Sequence, residues 1–459
     1  MQCGSVVYRS LRAHIVDGGL GSRSHRTKLL PSFRLRLQRR GAVATMHIAK
    51  QQYSTAYDSL HIEPCDRITD LENLGGYRGV CVTTDVPKDA ALVSVPWEYA
   101  LVVQDEQSEL HWDTLLAMQL LEKMRDPNSI WRECAHLLPR RVASACLWSD
   151  QALEELQDRR TSQEAANIRD RFLRQVDLAT SHASQRGALL WALSMVHSRS
   201  FVITRNEDPS GITAPGTRAL VPFADQFNHA PAKRQRGSHG DGEGAPWRLV
   251  RAPGGARFEI VTRQPLERGE EATIDYGHDT NAELLVSYGF VLAPNPSDVV
   301  PLYADVQELL DDDRWVPHCS VRSQRLKEGL VHDSLQGTAG SGDQLGVRAG
   351  GSAHHALSAL RILHATDQET EKLMSRYIDT TQMVSAANEL SVFQHIVNRC
   401  YELLDELPTT MEEDRELLNL EYNIRDTQHN LALQYRLETK RTLNDAVVYH
   451  EKLMETLRG

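Results

Sequence analysis

The sequence predicts an α+β protein in which small β-sheets are split by a helical insertion and followed by an all-α region. Three observations carry that expectation. Between Ile68 and Val103 short apolar runs, VCVTTD and AALVSVPWEYALVV, follow LGGYRG and are separated by the turn PKD, which is a strand-rich pattern. From about Glu109 to His197 the period changes: LLAMQLLEKM, DQALEELQDRR, IRDRFLRQVD and GALLWALSMV repeat apolar residues at three and four, the spacing of amphipathic helices. Strands then resume in WRLVRAP, RFEIVTR and EEATIDYG, and after PLYADVQ the chain reads as helix to its long charged end.

The elements follow in order. Residues 1–45 hold nine Lys and Arg against one acid, Asp17, so the remainder carries 42 basic against 61 acidic residues. A head rich in Arg and Ser and nearly free of acids reads as an organelle transit peptide, with a disordered basic tail as the plain alternative. It implies a plastid, or else a mitochondrion, and a start at Met46 would leave the chain in the cytosol. Two Pro/Gly-rich loops, EDPSGITAPGT and KRQRGSHGDGEGAP, flank the segment ALVPFADQFNHA. A further loop, QGTAGSGDQLGVRAGGSAHHA, interrupts the C-terminal helices. Expected boundaries are a disordered 1–45, a β unit over 62–292 with its insertion at about 108–197, and a helical domain over 300–459.

Composition excludes several classes. No run approaches the roughly 18 apolar residues needed to cross a bilayer. The seven cysteines have no CxxC pair, which argues against a zinc knuckle or a disulfide framework. An acidic body without a basic stripe is a poor nucleic-acid binder but suits a basic protein segment. There is no GxGxxG, P-loop or GxSxG motif. His354-His355 reads as a solvated turn rather than a metal site, and Asp311 to Asp313 as a helix start or a solvated face.

Three stretches remain: LGGYRGV, FADQFNHA and EEATIDYGHDTNAELLVSYGFV. In the last, Tyr276 ends a strand and Asn281 caps a short helix leading to Tyr288. Taken singly, Asn228 and His229 satisfy buried backbone groups and Tyr276 packs at a rim. Taken together with SRSF at Ser198 to Phe201, the order of glycine turn, helical insertion, SR, NH and strand-end tyrosine resembles the SET-domain methyltransferases. More narrowly, it is similar to the subgroup typified by plant Rubisco large-subunit lysine methyltransferase. NELSVFQHIVNRCYELLDELPTTMEEDRELL and LALQYRLETKRTL resemble that subgroup's helical substrate-binding domain, so the likeness runs over roughly residues 65–459.

That resemblance implies a SET fold with its pseudoknot and protein-lysine methylation with S-adenosyl-L-methionine as donor, without a metal. It implies cofactor contacts at Gly76, Tyr77, Arg78, Gly79, Arg199, Asn228 and His229, with Tyr276 catalytic. Arg199, Asp225, Tyr276 and Tyr288 fall on the substrate side. The family usually has an acid followed by Gly-x-Gly where this chain has GGYRG, so only Gly79 keeps its place and backbone contacts replace side chains there. Some members carry a second basic residue where this chain has Ile203. The implied partner is a lysine-bearing protein segment, with Rubisco large subunit and plastid aldolase as candidates, and the expected chain is a monomer that engages neither nucleic acid nor membrane. A histidine acceptor on the same fold, or a degenerate SET scaffold that only binds peptides, are the rival readings.

Overall fold

The computed structural model describes residues 62–67, 77–82, 84–104, 108–134, 137–230, 246–277, 280–318, 320–335, 345–376, 380–421 and 427–459. All of them lie in one compact unit of the chain, Ala42–Gly459. The basic head lies outside the described residues.

Four small sheets are present among these residues. Strands β1 (Ile62–Arg67) and β2 (Tyr77–Val82) pair antiparallel, with Cys65 opposite Gly79. β3 (Ala91–Pro96) buries four consecutive residues, and β4 (Leu101–Val103) follows a single 3₁₀ turn. The insertion comes next: α1 (Trp112–Arg125), α2 (Ile130–Cys134), α3 (Asp150–Glu154), α4 (Arg159–Ala179) and α5 (Ala183–Arg199). Its starts are capped as the sequence chemistry requires, since Ser149 accepts from Ala152 N–H and Asp158 accepts from the N–H groups of Arg160 and Thr161.

The β unit then resumes. β5 (Phe201–Ile203) and β4 flank β6 (Thr217–Leu220), β7 is the pair Asn228–His229, and β8 (Trp247–Ala252) turns through Pro253–Gly254 into β9 (Gly255–Val261). Gly254 sits at φ +93°, a conformation a side chain resists, which fits it to this two-residue turn. β9 also pairs with β3, and β10 (Glu271–Ile274) lies between β2, antiparallel, and β7, parallel. That last sheet brings Gly79, which lies within β2 and not in a turn before it, the NH pair and the approach to Tyr276 side by side, although they stand far apart in sequence.

One correction concerns the next turn. Asn281 does not cap α6 (Asn281–Glu283); Thr280 does, in a reciprocal capping box with Glu283. Asn281 is instead buried and bonded to Asp298 and to the Leu292 carbonyl and N–H. The chain continues as a π-helical turn over Leu284–Tyr288, ending at Gly289 in the left-handed region.

The C-terminal part holds β11 (Val300–Pro301), α7 (Val306–Asp311), α8 (Val321–Leu335), β12 (Gly346–Arg348), β13 (Gly351–Ser352), α9 (His354–Leu363), α10 (Asp367–Arg376), α11 (Ala386–Glu406), α12 (Met411–Glu421) and α13 (Thr427–Arg458). Two sequence expectations change here. The Gly-rich loop contains the β12–β13 hairpin, and His354-His355 opens α9 rather than a solvated turn. Asp312 is not a solvated acid: it accepts from Tyr303 Oη and the Arg314 guanidinium and stands 3.4 Å from His395. Helix α13, 32 residues and about 48 Å long at 1.5 Å per residue, serves two cores. It buries Ala432 and Tyr435 with the sheets and insertion, and Leu443, Ala446, Val447 and Met454 among the C-terminal helices.

Candidate active site

The segment Val221–Ala230 is bent into place by Phe223, a buried non-glycine residue at φ +69°. Such a conformation is costly for an aromatic residue and persists where the surroundings fix it. The short 3₁₀ turn Ala224–Gln226 that follows buries Asp225 and delivers Asn228 and His229 to β7.

On the sheet side, Asn228 Nδ2 donates to Glu271 Oε1 at 2.8 Å. A Cβ on Gly79 would lie 2.3 Å from that same oxygen and 2.9 Å from Asn228 Nδ2. A Cβ there would push the carboxylate and the amide aside, so Gly79, Asn228 and Glu271 form one close-packed corner. The backbones of Tyr77 and Arg78 run beside it in β2, opposite Arg67 and Asp66. Their side chains, and Gly76 altogether, lie outside the described residues.

His229 ties this corner to Tyr276. The Tyr276 N–H donates to His229 Nδ1 at 3.0 Å, which places the proton of the neutral ring on Nε2. The two rings are 5.2 Å apart. Tyr276 Oη donates to the Phe227 carbonyl at 2.7 Å, so the hydroxyl is fixed in direction while its lone pairs can still accept. Burial pushes the phenol up to about 12; the Arg199 charge opposes this, and Asp225 and Glu271 add to it. The group therefore stays a neutral phenol at neutral pH.

In front of Tyr276 lies a cavity of about 150 Å³ lined by Arg199, Asp225, Phe227, Trp247, Tyr276 and Tyr288, with Asp275 at its edge. Tyr288 faces Tyr276 with ring centroids 4.8 Å apart, and Phe290 closes the aromatic group at 6.3 Å from Tyr276. Arg199, the last residue of α5, bonds Ser198 Oγ at 2.7 Å, while its Nε is buried without a hydrogen-bond partner among the described residues. A wider groove of about 600 Å³ runs between β4, α1 and α5 past Val102, Leu115, Met118 and Leu189, and none of the sequence-predicted site residues lines it.

The structure thus gathers Arg199, Asp225, Tyr276 and Tyr288 on one cavity and sets Gly79, Asn228 and His229 directly behind it. Sequence reasoning missed Trp247, Glu271 and Asp275. Glu271 had a usable signal, since it alternates with buried Ala272 and Ile274 on a strand leading to the tyrosine. Trp247, the residue that opens β8 after a Gly-rich loop, carried none.

The chain is similar to known proteins over most of its length. The Rubisco LSMT substrate-binding family model matches residues 327–443. The chain is 23% identical over 412 residues to the ribulose-1,5 bisphosphate carboxylase/oxygenase large subunit N-methyltransferase, chloroplastic, of Nicotiana tabacum, a match over 82% of this chain and 77% of that one. It is 24% identical over 431 residues to the actin-histidine N-methyltransferase of Rhinolophus ferrumequinum, over 82% of this chain and 65% of the other. Among solved structures, the crystal structure of the SET domain of LSMT bound to lysine and AdoHcy aligns with a TM-score of 0.60 at 18% identity, covering 91% of this chain and 92% of that one.

Proposed function

We propose, from the premise that the chain is a SET-domain protein of the Rubisco LSMT-like kind related to both of those methyltransferases, that it is an S-adenosyl-L-methionine-dependent protein-lysine N-methyltransferase. The single observation that carries this reading is the convergence of Arg199, Asp225, Tyr276 and Tyr288 on one small cavity with the Gly79–Asn228 corner behind it. The proposed parts are a SET unit over 62–292 with its insertion at about 108–197, and a substrate-binding helical domain over 300–459.

The residues fit the donor. Gly79 leaves room beside the backbone where a side chain would press on Glu271 and Asn228, Asn228 and His229 stand behind the cavity, and Arg199 lines it. The Gly76–Arg78 stretch is assigned to this role by its motif alone. When bound, S-adenosyl-L-methionine would supply a sulfonium methyl group, its carbon–sulfur bond breaking to leave a neutral thioether as the acceptor nitrogen forms the new carbon–nitrogen bond.

The chain's own groups then have defined work. A lysine arrives as an ammonium with a reference pKa of about 10.4 and must lose a proton before it can attack. Asp225, which is buried, and Asp275, which is partly exposed, offer carboxylates on the cavity wall to the incoming cation. The walls made by Phe227, Trp247, Tyr276 and Tyr288 remove water, which disfavours the charged form, so the amine gives up its proton to solvent without a strong base. The Tyr276 hydroxyl, anchored on Phe227, accepts a hydrogen bond from the amine and aims its lone pair down the cavity. Tyr288, ring against ring, sets the width available to the acceptor.

The actin-histidine relative favours a second reading, a histidine acceptor in the same cavity. The test is to incubate the chain with isotopically labelled S-adenosyl-L-methionine and a plastid extract and to map the label by mass spectrometry. Label on lysine supports the first reading, and label on histidine replaces it with the second. Cofactor binding without any labelled protein would turn the chain into a peptide-binding scaffold. A plastid location is proposed from the chloroplastic relative and the basic head, with Rubisco large subunit or plastid aldolase as the substrates to look for first.

A further inference from the structure

Tyr288 reaches the cavity from an unusual support. It ends a π-helical turn, Leu284–Tyr288, a form that occurs rarely and often at functional sites. The Gly289 N–H closes that turn on the carbonyls of Leu284 and Leu285 at 2.9 and 3.2 Å. This leaves the Val286 carbonyl to find a partner elsewhere, as the last carbonyls of any helix must. The partner comes from the helical insertion: the buried Ser144 Oγ donates to the Val286 carbonyl.

The contact is tight on both sides. Gly289 stands at φ +82°, and a Cβ there would lie 2.3 Å from Ser144 N and 2.4 Å from the Ala143 carbonyl carbon. Backbone, not a movable side chain, fills that space, so residue 289 is restricted to glycine by conformation and by contact. The 143–148 segment is itself braced. Trp148 Nε1 donates to the Ala143 carbonyl at 2.9 Å, and Arg169 of α4 donates to the Trp148 carbonyl at 2.7 Å. A rigid piece of the insertion therefore presses on the turn immediately before and after Tyr288.

We infer that Ser144 is a positioning residue: through the Val286 carbonyl and the Gly289 backbone, the insertion fixes the Tyr288 ring in the wall of the methyl-acceptor cavity. Ser144 touches neither the cavity nor the Gly79–Asn228 corner, so its effect passes through Tyr288. The kinetic consequence rests on the methyl-transfer reading above.

The test compares Ser144→Ala, Ser144→Thr and Gly289→Ala in the full chain, each with 3-fluorotyrosine at position 288 for ¹⁹F NMR. Ser144→Ala is expected to lower kcat by about 10- to 100-fold, the scale of a small misplacement of a reacting partner. KM for donor stays within about twofold, because ground-state binding of the donor is untouched. The 288 resonance shifts or broadens, and Ser144→Thr, which keeps the hydroxyl, returns both readouts toward the parent. Gly289→Ala moves both in the same direction and further. A parent-like kcat and resonance in Ser144→Ala overturn the inference, as does a kcat loss matched by an equal loss of donor affinity, which would mean general loosening. If the parent chain transfers no methyl group, the functional reading fails by itself. The resonance then decides positioning alone: unchanged in Ser144→Ala, it overturns the inference, and displaced there but restored in Ser144→Thr, it upholds it.

Discussion

Two buried polar regions of this chain treat charge in opposite ways. Around Asp414, which is wholly buried, both carboxylate oxygens are matched: one accepts from Arg436 at 2.7 Å and Thr409 at 2.8 Å, the other from Lys440. The network reaches across to the insertion, where Tyr435 bonds Asp158 and Thr161, and Thr409 bonds Gln157. At the Tyr276 cavity the guanidinium of Arg199 keeps a buried N–H without a partner among the described residues, and a hydroxyl is pinned as a donor with its acceptor side open. Arg436 and Arg199 each keep a buried Nε without a partner among the described residues, so the difference lies elsewhere: the first region's carboxylate is filled on both oxygens and holds α13 to α12 and α4, while the second region faces a cavity. A carboxylate filled on both oxygens reads as architecture, and a hydroxyl with its acceptor side open to a cavity reads as a place for a ligand.

The sharpest way to break that contrast is to unmatch Asp414. Asp414→Ala leaves Arg436 and Lys440 as buried cations without their carboxylate, and is expected to cost about 3–5 kcal/mol of stability, read by urea denaturation. At temperatures where the variant is folded, cofactor affinity should stay that of the parent. A loss of donor binding in the folded variant would show that the cluster belongs to the site.

Tyr276→Phe should do the reverse. Removing the hydroxyl is expected to lower kcat by about 10²- to 10³-fold, the range for losing one preorganised polar group at a reacting centre. Stability should fall by only about 1 kcal/mol, the net worth of its bond to Phe227. Calorimetric donor binding and single-turnover rates separate the two effects. A variant that keeps its rate and loses its stability would make Tyr276 part of the core.

The contrast also marks what could be read before any coordinates. Helices and strands were legible because periodicity is local: β9 alternates toward the core, and α4 and α11 keep their apolar stripes. Arg199, Asp225, Tyr276 and Tyr288 were legible as an ordered set of motifs, and the structure brings them to one cavity. Even the Thr280 cap was written in the sequence as T-x-x-E and was misplaced by one residue onto Asn281. Asp312 and Ser144 were not legible. Ser144 meets Val286 142 positions away, and Asp312, besides its near partners Tyr303 and Arg314, meets His395 83 positions away; no pattern of composition or period encodes a contact at that range. The β12–β13 hairpin hid for another reason, because strands of three and two residues are too short for alternation to show.

His197 sharpens the comparison from within the insertion. Two residues before Arg199, it packs edge-on to Phe172, and its buried ring nitrogens have no hydrogen-bond partner among the described residues. Burial lowers its pKa to about 4, against the pull of Asp113, whose carboxylate stands 3.9 Å away. The folded value lies below the unfolded one, so the unfolded chain binds the proton first as pH falls. Stability is therefore full above pH 6.5 and lost between about 6.5 and 4. By pH 5 the loss is expected to be about 2 kcal/mol, and His197→Gln should flatten the slope of denaturation midpoint against pH. An unchanged slope would assign the acid sensitivity to another group.

Asn228→Ala carries the smallest expected effect and tests the donor side. The variant loses the 2.8 Å bond to Glu271 Oε1 and, on the proposed reading, one polar contact to the donor. A neutral hydrogen bond is worth about 1 kcal/mol, so donor affinity should fall by about fivefold. Turnover at saturating donor should hardly change, because Tyr276 and Tyr288 remain in place around the acceptor. The corner supplies its own control. The same substitution removes the amide that holds Glu271 Oε1 where a Cβ at residue 79 would meet it, so Gly79→Ala should weaken donor binding more in the parent than when added to Asn228→Ala. If the two changes are strictly additive, Gly79 and Asn228 do not act as one corner. The donor side of the cavity would then have to be sought on residues other than this pair.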